Sequence, residues 1–293
     1  MIFDRYPGAG RYWKARFGGE VRRVSLDAGL SCPNRDGTVG TGGCLFCDPA
    51  SFAPSAGDPR PVAEQLAAGI ERLRARGVTR AAAYFQPHTN THAPLPVLKA
   101  LWDACRAFPE VVALCVGTRP DCVPDPVLDL LAGYRDRWEI WLELGLQSAR
   151  DETLRRLGRG HTAGAFADAV RRARERGLLA CAHVILGLPG EAPEDEAHTA
   201  SFLADLGVEG VKLHQLAVVE GTPLAALWRR GEVALLPEDA YIERAAAFVR
   251  RLPPRTVLHR LVGDTLGDRL LAPRYDRNRV IREIRARLRS LVP

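Results

Sequence analysis

From about residue 20 to residue 235, short apolar runs alternate with segments whose apolar residues recur at helical spacing. Val21–Leu26, Ala81–Gln86, Val111–Gly117, Trp138–Leu144, Ala180–Leu186 and Gly210–Leu216 read as strands. Between them, Val62–Arg76 carries Val62, Leu66, Ile70 and Leu73 on one helical face, and Ala165–Arg176 follows the cap-like Thr162. Strands that alternate with helices pair in parallel and are covered by those helices, which leaves a doubly wound sheet or a barrel. The loops after the strands are long and rich in Gly, His, Asn and Arg, and parallel barrels carry their chemistry there. The pattern therefore predicts an α/β fold, a partial (β/α)6 barrel. No GxGxxG follows the first strand, so a dinucleotide-binding reading has no support.

After about residue 235 the pattern becomes a helix over Pro237–Arg251, a strand over Thr256–Leu261, a Gly/Asp loop and a helix near Asn278–Ser290. This divides the chain into a barrel over 1–235 and a C-terminal α/β extension over 236–293 packed upon it. The 293 residues suffice for a large core, and 46% hydrophobic with 26% charged content excludes disordered and fibrous classes. Apolar runs fall short of the ~20 residues a bilayer requires, and MIFDRYPGAGRYWKARFGG has no signal-peptide core, so a cytoplasmic location without membrane contact is expected. The formal charge of +6 mildly favours an anionic partner. Lys14, Lys99 and Lys212 are the only lysines among 41 basic residues, and such arginine richness also fits the composition of a GC-rich genome.

Cysteines stand at 32, 44, 47, 105, 115, 122 and 181, an odd set without an export signal, so reduced thiols are expected. Cys105, Cys115, Cys122 and Cys181 lie in apolar or strand-like surroundings and read as core thiols. Cys32, Cys44 and Cys47 lie in the loop after the first strand, CPNRDGTVGTGGCLFC, with spacing C-x11-C-x2-C. The glycines between them allow the chain to curl around a metal centre with backbone amides directed at sulfur. A structural zinc site normally closes with four ligands, and here no histidine is nearby and Asp48 is a poor fourth ligand for a soft site. An iron–sulfur cubane held by three cysteines would keep one iron without a protein ligand. A structural zinc and plain packed thiols are the alternatives.

The cysteine loop is followed in order by YFQPHTNTHAP, GTRPDC, ELGLQS, GRGH, HVILGLPGE and VKLHQL. Together these resemble the radical S-adenosylmethionine (SAM) superfamily, in its elongator-catalytic-subunit-like branch with the YhcC/YtqA-like proteins, over roughly residues 10 to 275. The superfamily's usual spacing is C-x3-C-x2-C, and the longer first gap here matches that branch. The resemblance implies a TIM-like barrel with a [4Fe-4S] cluster on Cys32, Cys44 and Cys47 and SAM on the open iron. It also implies an electron donor such as flavodoxin or ferredoxin. In this superfamily the reduced cluster splits the sulfonium C–S bond, and the protein must orient the cofactor, exclude water and present the substrate hydrogen.

By the same resemblance Gln86, Thr89 and Asn90 occupy the place that binds the SAM amino group, although the usual Gly-Gly-Glu element is absent. Glu143, Gln147 and Ser148 would contact SAM or its ribose, and Arg159 would grip its carboxylate with two parallel hydrogen bonds. Ile185, Leu186 and Gly187 would approach the adenine. Glu143, Lys212 and His214 are the catalytic candidates, the last two at the end of the sixth strand where substrate-facing groups belong. Arg119 pairs either with an acidic substrate or with Asp121, and for each histidine a packing role stands beside a catalytic one. The last helix gathers Val280, Ile281, Ile284 and Leu288 on one face and Arg279, Arg282, Arg285, Arg287 and Arg289 around the rest, open to phosphates or simply to solvent.

The expected function is a radical SAM enzyme that modifies a wobble-uridine side chain in transfer RNA. A small metabolite or a protein side chain is the alternative substrate. A non-catalytic iron–sulfur or zinc-binding module is the alternative class, and the polar groups ending five further strands argue against it.

Overall fold

The computed structural model describes residues 5–264 and 268–289. Ser290, where the last helix was expected to end, lies outside them. The strands are β1 (Val21–Leu26), β2 (Arg80–Phe85), β3 (Val111–Thr118), β4 (Glu139–Gln147), β5 (Leu179–Leu186), β6 (Gly210–Gln215), β7 (Val218–Val219), β8 (Val257–Arg260) and β9 (Leu270–Ala272). Among the described residues, β1-β2-β3-β4-β5-β6-β8 form one seven-stranded sheet with every pair parallel, and β7 and β9 form a small antiparallel pair. The sequence accounts for six of the parallel strands as β/α units. The seventh is the strand expected in the C-terminal extension, which joins the edge of the barrel sheet at β6.

The strand register explains why two cores form from one sheet. Successive side chains point to opposite faces, so Val24 and Leu26, Ala81, Ala83 and Phe85, and Leu142 and Leu144 face outward into the main core. Helices Val62–Arg74, Ala163–Glu175 and Glu238–Arg250 cover that face, the first through Val62, Leu66 and Ile70. Thr162 caps its helix as expected, its hydroxyl accepting from Ala165 N at 3.1 Å. Helix Arg277–Arg289 packs on Glu238–Arg250 through Val280, Ile284 and Leu288.

The alternate positions form the lumen. Its lower part is filled by Val21, Ala82, Ala113, Trp141 and Val257, and the helix Ala9–Phe17 closes it with Trp13. A third cluster, with Leu157, Ile185, Leu188 and Leu216, packs Leu45 and Phe46 of the cysteine loop against helix Pro223–Arg229. Leu224 N donates to Leu45 O at 3.0 Å, so this apolar support fixes the loop over the sheet's C-terminal end.

Candidate functional site

The cysteine loop is shaped by its own backbone. Arg35 N and Asp36 N turn back onto Cys32 O, Val39 N and Gly40 N reach Pro33 O, and Gly43 N reaches Asn34 O at 2.7 Å. Leu45 N bonds Leu157 O at 3.0 Å, tying the loop to the segment that carries Arg159. Cys32, Cys44 and Cys47 thereby line one cavity at the C-terminal end of the strands. Gln86, Thr89, Glu143, Gln147, Arg159, Lys212 and His214 line the same cavity, so loops and strands far apart in sequence converge there. Among the described residues, no group of three or more His, Cys, Asp or Glu is gathered tightly enough to hold a single metal ion. A cluster, in which each thiolate meets a different iron, spreads its ligands more widely than a closed zinc site does.

Cys44 and Cys47 differ electrostatically. Burial pushes the Cys44 thiol up, but Arg159 and the hydrogen bond from Asn34 outweigh it and hold it below its ordinary value. Cys47 is pushed up to about 12 by desolvation, with Cys44 adding to the effect. Elsewhere Cys105, Cys115 and Cys181 are fully buried as expected, whereas Cys122 is half-buried beside Asp121.

Below the cysteines a charged layer crosses the lumen. Glu143 on β4 is 1% exposed and pairs with Lys212 on β6, while His183 Nε2 lies 2.9 Å from its Oε2. Arg23 NH2 and His259 Nδ1 approach its other oxygen at 3.5 and 3.8 Å. Lys212 also donates to the Tyr84 hydroxyl at 2.8 Å, and Arg23 lies over the rings of Trp13 and Tyr84. Burial raises the Glu143 carboxyl, but the charges of Lys212 and Arg23 dominate and hold it well below the usual carboxylate range. Desolvation pushes Lys212 down to about 8 against the pull of Glu143. The same cause depresses His183 to about 4 and His259 to about 3, and puts His214 well below its ordinary value, so these imidazoles are neutral.

The upper wall carries backbone conformations that L side chains rarely adopt, at His88 (φ 64°) and Gln147 (φ 73°), and β4 shifts register between Gly145 and Gln147. Gly145 lets two side chains approach the backbone closely: a Cβ there would lie 2.8 Å from Arg159 NH2 and 2.9 Å from Gln147 Nε2, so one or the other would have to move. Several buried polar atoms around the cavity lack a hydrogen-bond partner, including Thr89 Oγ1, His88 Nδ1, Arg119 NH1, Glu143 Oε1 and His214 Nε2. Buried polar atoms are normally satisfied, so their clustering at one cavity marks it as a place for a polar ligand.

Other residues expected at the cofactor have contacts within the protein. Asn90 Nδ2 donates to the carbonyls of Phe85, Pro87 and Gly117 at 2.9 to 3.2 Å, which ties β2 to β3 behind the cavity wall. Ser148 is fully buried, bonded to Glu191 and accepting from Arg150 N. Leu186 faces outward into the main core, whereas Ile185 packs with Leu157, Leu188 and Leu216. Gly187 N donates to Glu196 Oε1 at 2.7 Å, and Arg244 holds the other oxygen of that carboxylate. Arg119 pairs with Asp121 through two hydrogen bonds of 3.0 and 2.7 Å, the structural one of its two readings. Tyr84, His183 and Arg260 line the cavity without having been assigned from sequence, and Arg23 and His259 sit beneath them.

The model of the Radical SAM superfamily matches residues 36–203, and that of the Radical_SAM C-terminal domain matches 208–290. Protein YhcC of Escherichia coli (strain K12) is 44% identical over 266 residues, 90% of this chain and 85% of that protein. The uncharacterized protein YtqA of Bacillus subtilis (strain 168) is 35% identical over 280 residues, 94% of this chain and 86% of that one. Among solved structures, the archaeal Methanocaldococcus infernus Elp3 superposes with a TM-score of 0.67 at 20% identity, covering 92% of this chain and 63% of that chain, a likeness of fold. With more than half its length matched by the family model and close relatives aligned almost end to end, the chain belongs to the radical SAM superfamily, enzymes that work with a [4Fe-4S] cluster and SAM.

Proposed function

We propose that Cys32, Cys44 and Cys47 hold the cluster and that the enzyme acts on a wobble-uridine side chain in transfer RNA. The observation that carries the site is the convergence of the three cysteines with unpartnered buried polar atoms on one cavity. The donor set fits: Cys44 already accepts two side-chain hydrogen bonds, and the loop that bears all three is braced by Leu45 and Phe46. When bound, the cluster supplies the electron that breaks the C–S bond of SAM.

The chain's own residues then bind, orient and exclude water. Gln86 is held by Ser25 and by Phe52 O, which fixes its amide at the cavity wall beside Thr89. Thr89 Oγ1 lacks a partner and is placed to receive a polar group of SAM, and Gln147, strained at the end of β4, faces the same space. Glu143 remains ionised beneath them and fixes Lys212 and His183, so Lys212 and His214 present donors to the substrate end of the cavity. In this proposal the barrel of residues 1–235 carries the chemistry, and the 236–293 extension completes its wall through β8.

The transfer-RNA substrate is supported by the resemblance of the sequence to the elongator branch and by the net charge of +6. The last helix offers less to phosphates than its composition promised. Arg279 is committed to Glu238 and Asp239, and Arg287 to Glu243 and Glu283. Phosphate contact therefore falls to Arg285 and Arg289, with Arg282, which lies 3.6 Å from Glu283 but is largely exposed. A small polar metabolite or a protein side chain is the second reading, favoured by the depth at which Lys212 and His214 lie.

Mass spectrometry of bulk transfer-RNA nucleosides from a strain lacking the gene tests the choice. A wobble-uridine change, with RNA binding whose log affinity falls with log salt, supports the RNA reading. Replacing Arg282, Arg285 and Arg289 together should flatten that slope without affecting substrate-free SAM cleavage. An unchanged nucleoside profile with no salt-dependent binding transfers the assignment to the small substrate.

A further inference from the structure

Arg159 was expected at the SAM carboxylate, but its guanidinium is already engaged on three sides. NH1 donates to Cys44 Sγ at 3.3 Å, NH2 to Gly145 O at 2.8 Å, and Nε to His161 Nε2 at 3.2 Å. Three of its five N–H donors are thereby spent inside the protein, and one of them is spent on the sulfur itself. The residue is 8% exposed, and the glycine at 145 is what allows it to lie against the end of β4.

Asn34 meets the same sulfur from the other side. Its Nδ2 lies 3.2 Å from Cys44 Sγ, 2.8 Å from Gly158 O and 3.3 Å from Arg159 O, and the residue is 3% exposed. One amide group therefore ties the cysteine loop to the backbone that bears Arg159. Two buried donors, one of them cationic, converge on a single ligand sulfur.

We propose that Arg159 and Asn34 are positioning residues for Cys44, and that their hydrogen bonds to Sγ set the reduction potential of the cluster. This rests on the reading that Cys32, Cys44 and Cys47 are its ligands. A reduced cluster carries one more negative charge than an oxidised one, so a cation and N–H donors at a ligand sulfur favour the reduced form and raise the potential. Arg159 contributes charge and a donor, Asn34 a neutral donor alone. Losing Arg159 should therefore cost more.

The test is a potentiometric titration of the reconstituted full chain without SAM, followed by the electron paramagnetic resonance signal of the reduced cluster, with iron quantified in each sample. In Arg159→Met the reduced-to-oxidised ratio at a fixed potential should fall about tenfold, which is ~59 mV for a one-electron couple. Asn34→Ala should shift it less in the same direction, and Arg159→Lys should recover most of the loss. Full iron with the wild-type potential in Arg159→Met and Asn34→Ala overturns the proposal. So does an Arg159→Met protein whose potential is unchanged while its SAM affinity drops, since that returns Arg159 to the carboxylate. If Arg159→Met fails to hold iron, Asn34→Ala and Arg159→Lys decide it: a lowered potential in Asn34→Ala supports the proposal, and the wild-type potential in both contradicts it. Retention of the full cluster by Cys44→Ala would instead defeat the ligand assignment beneath it.

Discussion

The lower and upper halves of the lumen are built from the same strands, yet they treat polar atoms in opposite ways. In the lower half Glu139 accepts from Trp141 Nε1 at 2.7 Å, Trp13 Nε1 at 3.1 Å, the Tyr12 hydroxyl at 3.0 Å and Arg16 Nε at 3.3 Å, within a packed aromatic plug. In the upper half Glu143, two turns of the pleat further along β4, is surrounded by cations and imidazoles, and its Oε1 and several neighbouring polar atoms lack hydrogen-bond partners. Satisfied atoms mark scaffold, and unsatisfied ones mark where a ligand completes the set. The change from one regime to the other runs toward the C-terminal ends of the strands, where parallel barrels place their chemistry.

The largest effect that sharpens this contrast comes from the charged layer. Lys212→Met removes the closest cation from a buried carboxylate and should cost about 3–5 kcal/mol in urea unfolding, much of which the double variant Glu143→Gln/Lys212→Met should restore. A loss in the double variant equal to the sum of the Glu143→Gln and Lys212→Met losses would show that the two groups are not coupled. In the lower half, Trp141→Phe loses one hydrogen bond and some packing, for roughly 1–3 kcal/mol. Iron content and SAM affinity should stay at wild-type levels in that variant, and a fall in either would erase the distinction between the halves.

How far the sequence revealed each half follows from what periodicity encodes. Strands β2 to β6 are legible because their runs are buried almost throughout, and β1, although Arg22 is exposed, has the bounds its sequence predicts. The helix Ala9–Phe17 was missed because only Ala9 and Trp13 are buried in it, between Arg11, Lys14 and Arg16. The cysteine loop was legible from spacing. The charged layer was not, because Arg23, Tyr84, Glu143, His183 and Lys212 meet only once the parallel register is set, although each sits at an alternate position of its strand. Ile185 and Leu186 show the same limit in reverse. Adjacent strand residues face opposite ways, so they could not both have packed one adenine.

The acid side of the stability profile tests the neutral imidazoles. His183 and His259 have folded values depressed to about 4 and 3, so between those values and the ordinary 6.5 the unfolded chain binds more protons. Their contribution is complete above pH 6.5 and is lost as pH falls through that window, and Glu143 acts in the same direction below 4.5. The urea midpoint of the apo chain should fall steadily from pH 7 to pH 4. A flat profile would mean that the layer is hydrated and not buried.

A smaller effect is expected at the cavity wall. Thr89→Val removes an unpartnered hydroxyl and should weaken SAM binding about tenfold, or ~1.4 kcal/mol, with little change in stability. Leu186→Val, on the outer face, should leave SAM affinity unaltered. The reverse ranking would place the cofactor away from this cavity.

We propose the three cysteines above the unsatisfied half of the lumen as the radical SAM centre. The most direct measurement is SAM cleavage by the anaerobically reconstituted, dithionite-reduced chain, read as 5′-deoxyadenosine and methionine. The wild-type and Cys105→Ala proteins should release both products, and Cys32→Ala, Cys44→Ala and Cys47→Ala should release neither and bind little iron. Product formation at the wild-type rate by any of those three variants would contradict the account.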